Sequence, residues 1–213
     1  MKWKRQVVSA ILLAAGESKR MGLNKLSLPW GRKTVFEHCL DALLQSRVEE
    51  VIIVVGGRSE ERRKEIEGRR ASSDKKVKVV WNSHYKKGMS TSIRRGIKSM
   101  DPATHGILIA LGDQPEVKAR TINALIHAFA QVRGSIIVPS CRGRRGHPVL
   151  FDRSYERELL RLKGDVGGRS VIERHLSEVM EVRTRSEAVI GDVDTQEEYE
   201  KLKAKGRGRK SER

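Results

Sequence analysis

The sequence predicts an α/β fold in which helices cover both faces of a mostly parallel sheet. Short continuous apolar runs alternate five times with segments whose apolar residues recur at helical spacing. Such runs are typical of parallel strands, because crossover helices shield both faces of the sheet from water. Glycine follows several runs, where a strand ends and a loop begins. A chain of 213 residues is long enough to bury a substantial core in one domain.

The first half of the chain shows the alternation most clearly. The apolar run Val7–Ala15 predicts a buried strand that ends at Gly16. Thr34 can cap a helix whose apolar residues recur at i, i+4 and i+8 from Val35 to Leu44. The elements predicted next are a strand over Val51–Val55, a charged surface helix over Glu60–Arg70, a strand over Val77–Trp81, a helix through Ile93, Ile97 and Met100, and a strand over Ile107–Leu111.

The second half begins in the same way and then changes rhythm. Apolar residues from Ile122 to Val132 share one helical face. Thr195 is predicted to cap a closing helix, and Glu198 completes a capping box. The elements between are predicted as strands over Ile136–Val138, Val149–Phe151, Val179–Val182 and Ala188–Val193, helices over Tyr155–Leu162 and Val171–Leu176, and loops over Cys141–Pro148 and Gly164–Arg169.

Net charge narrows the class of partner. The chain carries 44 Lys and Arg against 27 Asp and Glu, and its formal net charge of +17 indicates an anionic partner. With only three Trp, three Tyr and three Phe, a platform for stacking bases is hard to build, which disfavours nucleic acid. We interpret residues 1–205 as a single domain and residues 206–213 as a basic tail, predicted to be disordered because it has no apolar residue to pack.

The predicted compartment is the cytoplasm. Two cysteines, Cys39 and Cys141, offer no disulfide framework, and no apolar run approaches the ~20 residues of a membrane span. A secretory signal peptide is the alternative, since basic residues precede the first apolar run. Its removal would take the first strand with it, which favours the cytoplasm.

The loop after the first strand combines small residues with cations. Ala14, Ala15 and Gly16 would let backbone N–H groups approach a phosphate chain without colliding side chains. The planar guanidinium group of Arg20 and the ammonium group of Lys25 could bind the same anion. The loop is neither a Walker A sequence nor G-x-G-x-x-G. It therefore predicts an anion site of another kind.

Acidic residues suggest a metal or catalytic site. Asp113 follows the predicted strand Ile107–Leu111, at the edge where parallel α/β sheets bind their ligands. The alternative is an Asx turn that only organises the loop. On the predicted last strand, Asp192 and Asp194 would face the same side and could share one ion. The alternative for Asp194 is a helix cap.

Two further segments could contact ligands. The segment that begins at Gly88 contains Ser90, which could equally be a plain helix cap. Arg142, Arg144 and Arg145 form a cation-rich loop that could face a second anion or simply be solvated.

Several of these segments resemble motifs of one family. Ser9–Lys25 resembles, nearly letter for letter, the L-A-A-G-x-S-x-R-M-G-x-x-K motif of the molybdenum cofactor cytidylyltransferases, a branch of the MobA-like nucleotidyltransferases. The resemblance spans residues from about 7 to 203, with Gly168 replacing an alanine and Gln196 a proline. The other segments, which begin at Gly88, Gly112, Gly143, Gly164 and Asp192, resemble G-M-S-x-S, G-D-Q-P, G-R-x-G-H-P-x-L-F, G-D-x-G-A-R and D-x-D-T-P-E-D.

The resemblance implies a three-layer α/β/α Rossmann-like fold and nucleotidyl transfer. A terminal phosphate on a pterin cofactor would attack the α-phosphorus of CTP, and pyrophosphate would leave. CTP is expected rather than GTP because the guanylyl branch usually has L-A-G-G. The implied roles are catalysis for Arg20, Lys25 and Asp113, nucleotide binding for Ala14, Ala15, Gly16, Arg20, Lys25, Gly88, Ser90, Ser92 and Gly112, acceptor binding for Arg144, Arg145 and His147, and a Mg²⁺ site at Asp113 and Asp192.

Two alternatives stay open. One is a guanylyltransferase, or another NTP transferase acting on a small phosphorylated acceptor. The other is a nucleic-acid-binding protein, which net charge alone favours. A molybdoenzyme that receives the product is a further expected partner of the cytidylyltransferase.

Overall fold

Eight strands form one sheet in the part of the chain that the structure describes. The computed structural model describes residues 6–16, 24–56, 66, 76–132 and 134–208. A separate short hairpin consists of β2 (Pro29–Trp30) and β3 (Lys33–Thr34). The strands of the main sheet are β1 (Val8–Ala14), β4 (Glu50–Gly56), β5 (Lys76–Asn82), β6 (Gly106–Leu111), β7 (Ile136–Cys141), β8 (Arg144–Arg145), β9 (Val149–Asp152) and β10 (Val179–Arg183).

The sheet is mostly parallel, as predicted. Its order is β10-β7-β9-β6-β1-β4-β5, with β8 paired to β7. β1 pairs in parallel with both β4 and β6, whereas β9 runs antiparallel to β6 and β7. The chain leaves β1 towards β4 on one side and later returns to β6 on the other. The carboxyl ends of β1, β4 and β6 therefore meet at one edge of the sheet, where parallel α/β sheets bind their ligands.

Helices pack on both faces of the sheet and complete three layers. Along β1, Ala10 and Leu12 belong to one apolar cluster and Ile11 to another, because successive side chains point to opposite faces. The helices are α1 (Val35–Leu44), α2 (Met89–Ile97), α3 (Ala119–Gln131), α4 (Glu156–Arg161), α5 (Arg169–Arg174) and α6 (Gln196–Gly208).

Two predicted segments lie partly outside the described residues. The predicted helix Glu60–Arg70 has only Ile66 described, and Ile66 is buried. The predicted tail 206–213 begins within α6, which continues to Gly208, and residues 209–213 are not described. Among the described helices, none is long and apolar enough to cross a membrane.

The predicted strand Ala188–Val193 is wrong. The chain makes a single 3₁₀ turn, Glu187–Val189, and then continues irregularly. Val193 N donates a hydrogen bond of 3.1 Å to the carbonyl of Asp113, in the loop after β6. A run of apolar residues predicts burial but not its partner, and here the partner is a loop.

The basic loop is partly a hairpin. Cys141 pairs with Arg144 across a two-residue turn, and both turn residues have positive φ: 51° at Arg142 and 74° at Gly143. Tight hairpin turns of this kind need such angles to match the twist of the strands. The hairpin holds Arg144 and Arg145 on β8, at the end of β7.

A buried acid ties the amino ends of the strands together. Glu50, the first residue of β4, is 2% exposed, and Lys78 Nζ lies 2.7 Å from its Oε1. Its Oε2 accepts hydrogen bonds of 3.0 Å from Ser9 Oγ and from Asp101 N. A buried carboxylate needs such partners to offset its desolvation. The contacts therefore join β1, β4, β5 and the turn before β6.

Glu50→Gln should lower the free energy of unfolding by about 2 kcal/mol, because it weakens hydrogen bonds to a charged group. Urea unfolding followed by circular dichroism measures the change. Glu197→Gln, at an exposed position of α6, is the control. A midpoint for Glu50→Gln equal to that of the wild type would contradict this role.

Candidate active site

An open cavity of about 690 Å³ lies at the carboxyl end of the sheet, beside the ends of β1 and β6. The 3₁₀ turn Tyr85–Lys87, the start of α2 and the acidic segment before α6 complete its walls. Its size is that of an ordinary small-ligand site. The residues predicted from sequence that line it are Ala15, Gly16, Lys25, Gly88, Ser92, Asp113 and Asp192.

Small residues bring the ends of β1 and β6 together. Gly112 N donates a hydrogen bond of 3.0 Å to Leu13 O, and a Cβ atom on Gly112 would lie 2.9 Å from that oxygen. Only glycine fits so close an approach. Ala14 is buried in the core, whereas Ala15 and Gly16 line the cavity. Gly112 therefore shapes the site without lining it.

Lys25 joins two carboxylates across the cavity. Its Nζ lies 2.6 Å from Asp113 Oδ2 and 2.6 Å from Asp194 Oδ1, and its side chain is 13% exposed. Burial by itself would lower the pKa of Lys25, but the charge of Asp113 and the hydrogen bonds to both carboxylates outweigh it and raise the pKa. Lys25 is therefore a cation. Arg20, the other predicted cation, lies outside the described residues.

The acidic wall beside Lys25 has the donors that a divalent metal ion prefers. Asp113 Oδ1 is buried and has no hydrogen-bond partner within the described ranges. Burial, and then repulsion by Asp194 and Asp113, raises the pKa of Asp192. Carboxylate oxygens are the protein ligands that Mg²⁺ and similar hard cations prefer. The carboxylates present therefore have the donor chemistry for a divalent ion, and metal binding by Asp113 and Asp192 stays a prediction.

Asp194 does not cap α6, which is the alternative interpretation that the sequence leaves open for this residue. Thr195 Oγ1 accepts a hydrogen bond of 3.1 Å from Glu198 N, and Glu198 Oε2 accepts one of 2.9 Å from Thr195 N. These two bonds confirm the predicted capping box. The carboxylate of Asp194 instead contacts Lys25. Both Asp192 and Asp194 reach the cavity from irregular chain rather than from a strand.

The turn Tyr85–Lys87 is a part of the site that the sequence analysis did not identify. Asn82, at the end of β5, shapes it by accepting a hydrogen bond of 3.0 Å from His84 N. The Asn82 amide also donates to Thr91 Oγ1 at 2.8 Å and to Ser92 Oγ at 2.9 Å. This network fixes the turn against α2. A short turn with two lysines carries no motif of its own, so only the buried Asn82 could have drawn attention to it.

Two glycine-containing loops pack together at the start of α2. Gly88 has a φ of +105°, and a Cβ atom there would lie 2.3 Å from the carbonyl carbon of Gly164. Ser90 N donates to Gly164 O at 3.2 Å, and Met89 N donates to Asp165 Oδ1 at 3.1 Å. Asp165 thereby joins the cavity wall, which the sequence analysis missed. Ser90 is fully buried and does not line the cavity.

The predicted acceptor residues lie beside the cavity rather than in its lining. Arg145 Nε donates a hydrogen bond of 2.7 Å to Glu181 Oε1, on β10. Arg144 is exposed on β8. Burial lowers the pKa of His147, and Asp113 only partly opposes this effect. Acceptor binding by Arg144, Arg145 and His147 stays a prediction.

Comparison with known proteins identifies similar chains. Residues 10–179 match the family described as MobA-like NTP transferase domain. The purine catabolism protein PucB of Bacillus subtilis is 30% identical over 199 residues, which cover 91% of this chain and 94% of PucB. Nicotine blue oxidoreductase of Paenarthrobacter nicotinovorans is 29% identical, over 92% and 96% of the two chains. Molybdenum cofactor cytidylyltransferase of Escherichia coli is 23% identical, over 90% and 93%.

Solved structures share the fold. Rv0371c from Mycobacterium tuberculosis is 28% identical, with a TM-score of 0.77 over 94% of this chain and 100% of that chain. The manganese complex of Rv0371c has a TM-score of 0.72 at 28% identity, over 93% and 98% of the chains. These neighbours have the same Rossmann-like arrangement of a mostly parallel sheet between helices.

A residue with a Cβ atom costs about 1–2 kcal/mol in the left-handed region. Gly88→Ala should lower the free energy of unfolding by more than this, because the new methyl group would also collide with Gly164. It should also displace the turn and weaken nucleotide binding. Gly143→Ala is the matched control, since Gly143 has a φ of +74° but faces open space. Thermal unfolding and nucleotide titration of both variants check this, and equal losses would show that the packing of the two loops is unimportant.

Proposed function

Because the chain belongs to the family of MobA-like NTP transferase domains and is a nucleotidyltransferase, we propose that it transfers CMP from CTP to the terminal phosphate of a molybdopterin or molybdenum cofactor. Pyrophosphate is the other product. The observation that carries the proposal is the cavity in which Lys25 meets Asp113, beside the small residues that end β1. A cation, unpaired carboxylate oxygen and exposed backbone together suit a metal-bound triphosphate.

The chain's own residues would chiefly position the nucleotide. Ala15 and Gly16 offer backbone N–H groups that phosphate oxygens can approach closely. Lys25 and Arg20 would neutralise the triphosphate, and Gly88 and Ser92 would lie against the nucleoside. An acceptor phosphate is already ionised, so the reaction needs alignment and charge stabilisation more than a general base. This is why His147 is assigned to binding.

The proposed cofactor is Mg²⁺, held by Asp113 and Asp192. Asp194 joins them as a third candidate, because its carboxylate shares the Lys25 ammonium with Asp113. A bound divalent ion would neutralise charge on the phosphates. The manganese complex of the structural neighbour supports a divalent cation in a protein of this kind.

Two sequence features and one relative support CTP as the nucleotide and a molybdenum cofactor as the acceptor. Ala15 stands where the guanylyl branch usually has glycine, and the segment that includes His147 resembles G-H-P-x-L-F. The E. coli relative is named molybdenum cofactor cytidylyltransferase. The proposed acceptor contacts are Arg144, Arg145 and His147, and the proposed recipient of the product is a molybdoenzyme in the cytoplasm.

Pyrophosphate release should require CTP, a divalent ion and the phosphorylated pterin together. The measurement is pyrophosphate production by the purified chain with each NTP in turn, followed by mass analysis of the product. GTP turnover that equals or exceeds CTP turnover would move the chain to the guanylyl alternative. Turnover only with a different phosphorylated acceptor would reject the pterin.

Asp113→Asn should lower turnover by roughly two orders of magnitude or more, since it keeps the shape of the side chain but removes a key charge. Asp192→Asn should also lower turnover. The measurement is steady-state turnover at saturating Mg²⁺, with Asp101→Asn, at the opposite end of the sheet, as the control. Asp113→Asn with wild-type turnover would overturn the metal assignment.

A further inference from the structure

Two carboxylates of the candidate metal site already share a cation of the chain itself. Asp113 Oδ2 and Asp194 Oδ1 each lie 2.6 Å from the ammonium nitrogen of Lys25. The side chains of Lys25 and Asp113 are only 13% and 17% exposed, so water screens their attraction weakly. A divalent ion that bridged these two oxygens would lie about 2.1 Å from each of them, in the place that the ammonium group now occupies.

We propose that Lys25 occupies the cation position between Asp113 and Asp194 in the free protein, and leaves it for the nucleotide phosphates when the metal enters. The inference rests on the proposed function, since it assigns an order of events to that site. The exchange breaks no covalent bond. One ammonium group leaves two carboxylates, and a divalent ion takes its place.

The surrounding structure limits this movement to the Lys25 side chain. Leu26, the next residue, is 4% exposed and belongs to the core. The 3₁₀ turn Lys25–Ser27 is closed by a backbone hydrogen bond of 3.0 Å from Ser27 N to Asn24 O. The backbone is therefore anchored, while the four-carbon stem of the lysine can rotate. The ammonium group can turn towards the cavity without opening the loop.

The energetic consequence is coupling between metal and nucleotide. A metal ion that takes this position alone must displace Lys25, which costs the lysine its ion pairs with Asp113 and Asp194 in a mostly buried place. A metal ion that enters with a triphosphate gives Lys25 new anionic partners. Metal and nucleotide therefore bind with positive cooperativity, and each raises the affinity for the other by the same factor.

Mn²⁺ binding to the purified full-length chain tests the exchange. Electron paramagnetic resonance measures free Mn²⁺ without nucleotide and with the α,β-methylene analogue of CTP, which cannot be cleaved. Lys25→Met should raise Mn²⁺ affinity without nucleotide by about tenfold or more, within the usual range of coupling. The analogue should then enhance Mn²⁺ binding less in Lys25→Met than in the wild type.

Lys87→Met is the matched control. Lys87 lines the same cavity, and within the described residues it makes no ion pair with Asp113 or Asp194. Equal gains in Mn²⁺ affinity for Lys87→Met and Lys25→Met would attribute the effect to net charge and overturn the proposal. So would unchanged or weaker Mn²⁺ binding by Lys25→Met.

A second variant and a measurement without nucleotide make the result of the Mn²⁺ titration unambiguous. Lys25→Gln replaces Lys25→Met if the latter fails to fold, as judged by circular dichroism, and the same expectation applies. The measurement without nucleotide uses no substrate, so its result is independent of whether the enzyme uses CTP or GTP. Failure of the proposed specificity would leave that result standing.

Discussion

The ion pairs between Lys25, Asp113 and Asp194 are the interaction on which the site depends. Lys25 and Asp194 are 169 positions apart, and Asp113 follows a strand between them. One ammonium group thus joins the turn after the β1 loop, the end of β6 and the segment before α6. Without it, the carboxylates of Asp113, Asp192 and Asp194 would share one cavity with no ammonium group between them. Burial, and then repulsion by Asp194 and Asp113, already raises the pKa of Asp192.

Sheet topology makes that meeting possible. β1 lies between β4 and β6, so the carboxyl ends of these parallel strands meet at one edge of the sheet, where such sheets bind their ligands. Gly112 lets the ends of those two strands approach closely. At the opposite edge, the buried Glu50 network holds the amino ends together. Side-chain contacts therefore hold the amino ends of the strands together, whereas the carboxyl ends leave a cavity for a ligand.

Local patterns predicted most elements because the forces behind them act over a few residues. The apolar runs predicted the strands, and Thr34 and Glu198 marked the starts of α1 and α6 as observed. The strand predicted over Ala188–Val193 was wrong because its backbone bonds to loops: Val193 N donates to Asp113 O, and Val189 O accepts from His147 N. The turn Tyr85–Lys87 escaped notice because its position in the cavity depends on the network around Asn82.

The sequence by itself determined the α/β class, the small-residue loop after β1 and the position of Asp113 after a buried strand. These follow from periodicity, backbone freedom and strand ends, which are properties of neighbouring residues. Only the tertiary structure decided that Asp194 contacts Lys25 rather than the helix it precedes, and that Asp165 reaches the cavity. Such pairings join residues far apart in the chain. They depend on the order of the strands and the paths of the loops, which no local pattern contains.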